Sequence, residues 1–142
     1  MYENVLLPTD GSESIEQVLD HTIEIAADRE ATVHVLYVVD DRAFLTLDEE
    51  MKAEVIENLQ AEGERATDRV ADELDAAGID TQTTILRGTP ADVIVAYVDD
   101  ADIDLVTMGT QAAEYEKNML GSTSQKVVTR STAPVLTVDI SQ

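Results

Sequence analysis

The chain has 142 residues, with no cysteine, no tryptophan, a single phenylalanine and only three prolines. Without cysteine, neither disulfides nor thiolate metal sites are available, so a core must hold the fold together. At this length one domain buries roughly 70% of the surface that its unfolded chain exposes, which suffices. Apolar runs are short as well. None approaches the ~20 residues needed to span a bilayer, and no charged-then-apolar leader opens the chain. A soluble, cytoplasmic protein with no membrane contact is therefore expected. Basic residues are scarce, nine against thirty acids, with lysine only at 52, 117 and 126. No basic face exists to displace counterions, which excludes nucleic acid as a direct partner.

What is present is acid and hydrophobicity together. The net charge is −21, yet 44% of residues are hydrophobic and the apolar positions are periodic, unlike a disordered acidic chain. The acids are spread along prospective helix faces. Such a surface suits molar salt, where the Debye length is ~3 Å and self-repulsion is screened, and predicts a halophilic cytoplasm. One stretch breaks the pattern. Residues 105–138 hold Glu114 and Glu116 against Lys117, Lys126 and Arg130, a net +1, so the remainder carries −22. That island is either a ligand or partner surface, or a buried segment with little room for charge.

Strands and helices alternate along the chain. Asn4–Leu7 reads as a first buried strand, halted by Pro8-Thr9-Asp10-Gly11-Ser12. Ser14-Ile15-Glu16-Gln17 fits a capping box opening a helix whose core stripe is Ile15, Val18, Leu19, Thr22, Ile23 and Ala26. Thr32–Val39 is almost wholly apolar, as expected of a strand covered on both faces. After a loop with Arg42 and the apolar Phe44, Leu45 and Leu47, a long helix runs from about Asp48 to Ala77. Met51, Val55, Leu59, Ala66, Val70 and Leu74 lie near its inner stripe; Gly63 predicts a bend, and Gly78 a C-terminal cap. A third strand covers Thr81–Arg87, and Thr89-Pro90-Ala91-Asp92 starts a helix with a threonine cap and proline in the first turn. That helix buries Val93, Ile94, Tyr97 and Val98. Ile103–Met108, Ser122–Arg130 and Val135–Ile140 supply strand four, helix four and strand five. The pattern predicts a single α/β domain, residues 1–142, built on an open, mainly parallel five-stranded sheet; periodicity does not give the strand order.

Ligands of such sheets bind beyond the carboxyl ends of the strands, where the strand order reverses. Asp10, Val39, Asp40 and Gly109 all fall at strand ends on that edge. Asp10 suits ribose hydroxyls or a phosphate-bound magnesium, and equally a plain Asp-Gly-Ser turn. Ser122-Thr123-Ser124-Gln125 fits a second capping box, and a helix start offers free N–H groups to a phosphate. Gly109 and Gly121 would let the backbone approach a ligand, although an ordinary strand–loop–helix connection looks the same. No Gly-x-Gly-x-x-Gly, Walker lysine or catalytic serine motif occurs. His21 and His34 lack metal spacing and read as structural. The pair Asp40-Asp41 suggests a phosphoacceptor receiver domain, but such domains need paired acids after the first strand, where only Asp10 stands.

Asn4-Val5-Leu6-Leu7-Pro8-Thr9-Asp10-Gly11-Ser12, Val35–Val39, Arg87-Gly88-Thr89-Pro90-Ala91, Asp104–Gly109, Leu120-Gly121-Ser122, Lys126-Val127-Val128 and Ala133–Val138 come in the order and spacing of one family. Through them the chain resembles the universal stress protein family over almost its whole length. The resemblance implies a Rossmann-like α/β fold of sheet order 3-2-1-4-5 with helices on both faces, and a homodimer through Val135 to Ile140. It also implies an adenine-nucleotide site, with ATP as ligand and Mg2+ possible. Asp10 would meet ribose or phosphate, and Val39 adenine; Met108 and Gly109 would flank the nucleotide. Gly121, Ser122 and Thr123 would hold phosphates, with Pro8, Thr9, Ala112 and Ser124 completing the set. Here the chain departs from the family pattern: Ala112 occupies the second glycine position, and eight residues instead of nine precede Gly121. Gln111 and Ala113 replace a histidine and a basic residue, and Glu114 and Glu116 add negative charge. Binding as a sensing or regulatory state in a stress response is the first expectation. No catalytic residue is assigned; slow hydrolysis or self-phosphorylation at Ser122 or Thr123 would be the most to expect. A non-nucleotide dimeric interaction module, using the Thr110–Met119 and Phe44–Leu47 loops, is the second.

Overall fold

The computed structural model describes residues 2–110 and 122–140. The elements are β1 (Asn4–Thr9), α1 (Ile15–Ala27), β2 (Thr32–Asp40), α2 (Glu49–Ala76), β3 (Asp80–Gly88), α3 (Pro90–Asp100), β4 (Leu105–Thr110), α4 (Ser122–Arg130) and β5 (Val135–Asp139), with a 3-10 turn at Asp41–Ala43. The strands form one parallel sheet in the order β3-β2-β1-β4-β5, as the family resemblance implied.

Side-chain alternation divides the core between two faces. Val5 and Leu7 of β1 with Val33 and Val35 of β2 pack under Val18 and Leu19 of α1 and Val70 and Leu74 of α2. Leu6, Leu36, Val106 and Met108 face the other way, against Ile94 and Val98 of α3 and Val127 of α4. Beyond the first cluster, Tyr37 and Val39 join Phe44 and Ala66. Burying each such side chain is worth about 1.5–3 kcal/mol relative to exposure.

Several local expectations need correcting. Pro8 does not halt the first strand: β1 pairs with β2 through Pro8↔Leu36 and Thr9↔Tyr37. Strand four runs later than its apolar run suggested, Leu105–Thr110, so Gly109 lies inside it, opposite Val138. The helix α2 continues through Gly63 uninterrupted. The glycine serves packing: a Cβ there would stand 2.6 Å from Tyr37 Cδ1. Met51 is 52% exposed, outside the inner stripe. Ser14 makes no capping bond to α1 and hydrogen-bonds the Ser12 hydroxyl instead, at 2.7 Å. Thr89 precedes Pro90 as expected, but its side chain makes no cap bond. Gly78 ends α2 with φ +78, its N–H donating to Asp75 O and that of Ile79 to Leu74 O, the paired bonds of a left-handed helix stop.

Candidate functional site

The two flanks of β1 differ. Its register with β2 continues to Thr9↔Tyr37, whereas its register with β4 covers only Val5↔Leu105 and Leu6↔Val106. Past Leu6 the two strands part, at the place where the strand order reverses. Proline, which lacks an N–H for a ladder, sits just beyond the last β1–β4 pair. A cavity of ≈ 460 Å³ opens there over the carboxyl ends of the strands. Its walls are apolar on both sides: Leu36, Val38, Ile94 and Met108 from one core cluster and its fringe, Ile15, Val18 and Ile140 from the other. Polar groups cluster at two ends. Thr9, Asp10, Ser12, Ser14 and the α4 start Ser122-Thr123-Ser124 form a hydroxyl-rich end, and Asp40 and Arg42 form the other.

Asp10 closes β1 in an Asx turn: its Oδ1 accepts the Ser12 N–H at 2.9 Å, and the Gly11 N–H donates to Thr9 Oγ1 at 3.1 Å. Gly11 has φ +87, so the turn needs a glycine there. Arg69 of α2 backs the turn, its Nη2 donating to the carbonyls of Gly11 and Ser12 at 3.4 Å each. Asp10 is thus both turn residue and cavity residue. Beside it, Tyr37 lines the cavity and its phenol is raised above the usual range by burial, with the Glu62 and Asp10 charges adding to the effect.

At the other end, Asp40 and Arg42 form a bidentate ion pair. Arg42 Nε donates to Oδ1 at 2.9 Å and to Oδ2 at 3.2 Å, and Nη2 to Oδ2 at 2.6 Å. The Arg42 N–H adds a fourth bond to Oδ1 at 3.0 Å. The side-chain bonds to Arg42 hold the Asp40 carboxyl below its ordinary value, against a smaller opposing effect of burial. The 3-10 turn after β2 brings the two residues together.

Most of the residues expected from the sequence meet at this cavity: Pro8, Thr9, Asp10, Met108, Gly109, Ser122, Thr123 and Ser124 all line it. Val39 does not. Its side chain is fully buried among Tyr37, Phe44 and Ala66 on the opposite face of the strand, and its neighbours Val38 and Asp40 line the cavity. Any part for Val39 is through its backbone. Ala112 and Gly121, with Glu114, Glu116 and Lys117, lie outside the described residues. Gly109 lines the cavity, but its missing Cβ makes room for the core, since a Cβ would meet Ile140 Cδ1 at 3.0 Å and Val18 Cγ2 at 3.2 Å. Nor does Ser122 act as the cap of α4; it is the first helical residue. Ser124 Oγ instead donates to Gly109 O at 2.9 Å, tying α4 to β4. Sequence reasoning missed the Asp40–Arg42 pair and Tyr37; only the acid-x-arginine spacing directly after a strand hinted at the pair.

His34 is far from this chemistry. It is buried near the amino end of the sheet, with Nδ1 2.9 Å from Tyr97 Oη and Nε2 3.1 Å from Asn4 Oδ1. Since Asn4 Oδ1 can only accept, Nε2 carries the proton and Nδ1 accepts from the tyrosine. Burial lowers the His34 pKa below its ordinary value. Among the described residues no group of three or more histidines and acids is placed to hold a metal ion. No helix among them is long and apolar enough to cross a membrane.

An open parallel sheet whose strand order reverses at β1, with helices on both faces, defines the doubly wound α/β class. Residues 1–139 match the universal stress protein family, to which the chain belongs. Universal stress protein MJ0531 of Methanocaldococcus jannaschii is 35% identical over 140 residues, covering 97% of this chain and 82% of that protein. Among solved structures, MJ0577 of the same organism superposes with a TM-score of 0.86 at 31% identity, over 98% of this chain and 96% of that one. A universal stress protein in complex with cAMP superposes with a TM-score of 0.75 at 26% identity, over 99% and 98% of the two chains.

Proposed function

We propose that this protein binds an adenine nucleotide in the cavity between β1 and β4 as a sensing or regulatory state of a stress response, ATP being the form the resemblance implies. The observation that carries this reading is the early parting of β1 from β4 over a cavity with apolar walls and a hydroxyl-rich end at a helix start. The walls suit a flat base and the hydroxyls a sugar and phosphate. A relative of similar fold in complex with cAMP supports it. The test is calorimetric titration of AMP and ATP into the protein and into Thr123→Trp, whose bulk fills the hydroxyl-rich end. Micromolar binding lost in the variant is expected, and no heat with any nucleotide would overturn the reading.

In this proposal the protein works as a homodimer through Val135 to Ile140. The strand β5 lies at the sheet edge with Val135, Leu136 and Val138 half-buried, and a second copy pairing along it would cover that edge. Light scattering at the mass of one chain would overturn the dimer. The acidic surface belongs to the same proposal as an adaptation to molar salt. Urea unfolding at equal midpoints in dilute buffer and molar KCl would remove that part. An interaction module without nucleotide has less support, because Phe44 is buried and Leu47 half-buried; of that loop's apolar side chains only Leu45, at 60%, is largely exposed.

A further inference from the structure

With sugar and phosphate at the hydroxyl-rich end, the base falls to the opposite end of the cavity, given the adenine-nucleotide reading above on which this inference rests. Asp40 and Arg42 line that end, just past Val38 of the apolar wall. Arg42 is held firmly for a side chain that is 57% exposed. Its Nε and Nη2 donate to both oxygens of Asp40 at 2.6–3.2 Å, and its backbone N–H donates to Oδ1 at 3.0 Å. The 3-10 turn that carries it is anchored from behind. The Phe44 N–H donates to Asp41 O at 3.2 Å, and the Phe44 ring is buried among Tyr37, Val39 and Ala66. The Arg87 guanidinium lies over that ring, 5.9 Å from its centroid.

A carboxylate that grips Nε and Nη2 together approaches the guanidinium along one edge of its plane. Both faces of the plane stay clear of Asp40. Such planes stack on aromatic rings, nucleobases included. We propose that Arg42, held in place by Asp40, is the platform on which the base of the bound nucleotide stacks, with Asp40 as its positioning residue. Arg42 then contributes to affinity through the base instead of the phosphate. Asp40 favours binding even though its charge has the same sign as the phosphate's. That sign separates a platform from a plain charge effect, because a carboxylate acting by charge alone would repel AMP and its removal would tighten binding.

The test is calorimetric titration of adenosine and AMP into the wild-type protein, Arg42→Lys and Asp40→Asn, with unfolding midpoints measured without ligand. Arg42→Lys keeps the charge and loses the plane, so adenosine and AMP should both weaken, by about three- to tenfold. Asp40→Asn should weaken both ligands by a smaller factor, with unfolding midpoints close to that of the wild type. A merely structural role would leave one signal unmoved: the ring current of a stacked adenine should shift the Arg42 side-chain proton resonances upfield on adding adenosine. Binding to Arg42→Lys at wild-type affinity, tighter AMP binding in Asp40→Asn, or unmoved Arg42 protons at saturating adenosine would each overturn the platform alone. If neither adenosine nor AMP binds the wild-type protein, the adenine-nucleotide reading falls with it.

Discussion

The central strand β1 is held differently on its two sides. Toward β2 it is sealed: six residue pairs run from Asn4↔Thr32 to Thr9↔Tyr37, and Tyr37 fills the space above Gly63 of α2. Toward β4 it is sealed for two pairs and then opens. The same apolar strand thus contributes core on one side and cavity on the other. What decides between them is where the ladder stops, not the character of the side chains. Leu36 and Val38 make the point, since both belong to the α3-side cluster or its fringe and both face the cavity.

The largest effect should come from truncating a wall that core and cavity share. Leu36 is fully buried, and Leu36→Ala should cost about 2–5 kcal/mol of unfolding free energy while enlarging the cavity. Chemical denaturation would show it, and a cost below that range would mean the wall collapses to fill the space. Smaller and more diagnostic is a pair of glycine replacements. In an exposed helix Gly→Ala gains about 1 kcal/mol. At Gly63 the added Cβ would stand 2.6 Å from the Tyr37 ring, and overpacking of that kind costs about 1–3 kcal/mol, so Gly63→Ala should destabilise. On the open side, the Cβ of Gly109→Ala would come nearest to Ile140 Cδ1, the end of a flexible side chain, at 3.0 Å, and to Val18 Cγ2 at 3.2 Å. Its cost should be the lesser of the two; the reverse order would contradict the division into sealed and open flanks.

The sequence showed this division only in part. Alternating apolar runs and turn residues were enough to find each strand and α-helix among the described residues, because each has to bury a stripe or a face. The strand order came from family resemblance. Which side chains of β2 face the cavity was hidden, since Val33 to Val39 is almost uniformly apolar and its parity leaves no polar trace. Val39, which the family resemblance sets beside adenine, turns its side chain to the other face, and its neighbour Val38 lines the cavity. The use of Gly63 depends on Tyr37, twenty-six residues away in the chain, and no local pattern encodes that. The Asp40–Arg42 pair needed the 3-10 turn that brings its members together.

The smallest effect concerns pH. His34 joins β1 and β2 through Asn4, and its pKa is lowered by burial from an ordinary 6.5. As pH falls below 6.5 the unfolded chain takes the proton first, so this group removes stability until its folded pKa is passed. Glu73 of α2 acts in the opposite sense. A hydrogen bond with Glu16 of α1, burial and the Glu16 charge push it from 4.5 up to about 6, so the folded state takes its proton first and gains stability as pH falls from about 6 toward 4.5. Urea midpoints between pH 7 and 5 should therefore fall more steeply in Glu73→Gln than in the wild type, and less steeply in His34→Gln. Parallel profiles for all three proteins would contradict both assignments.

The central claim is that the parting of β1 from β4 makes the ligand site, and its most direct test is an amide chemical-shift titration with AMP. The account predicts shifts concentrated on both walls of the opening, at Asp10, Val38, Asp40, Gly109 and Thr123, with the sealed amino end around Asn4 and His34 unmoved. Shifts confined to the outer face of α2 between Ala53 and Glu64, or none at saturating AMP, would contradict it.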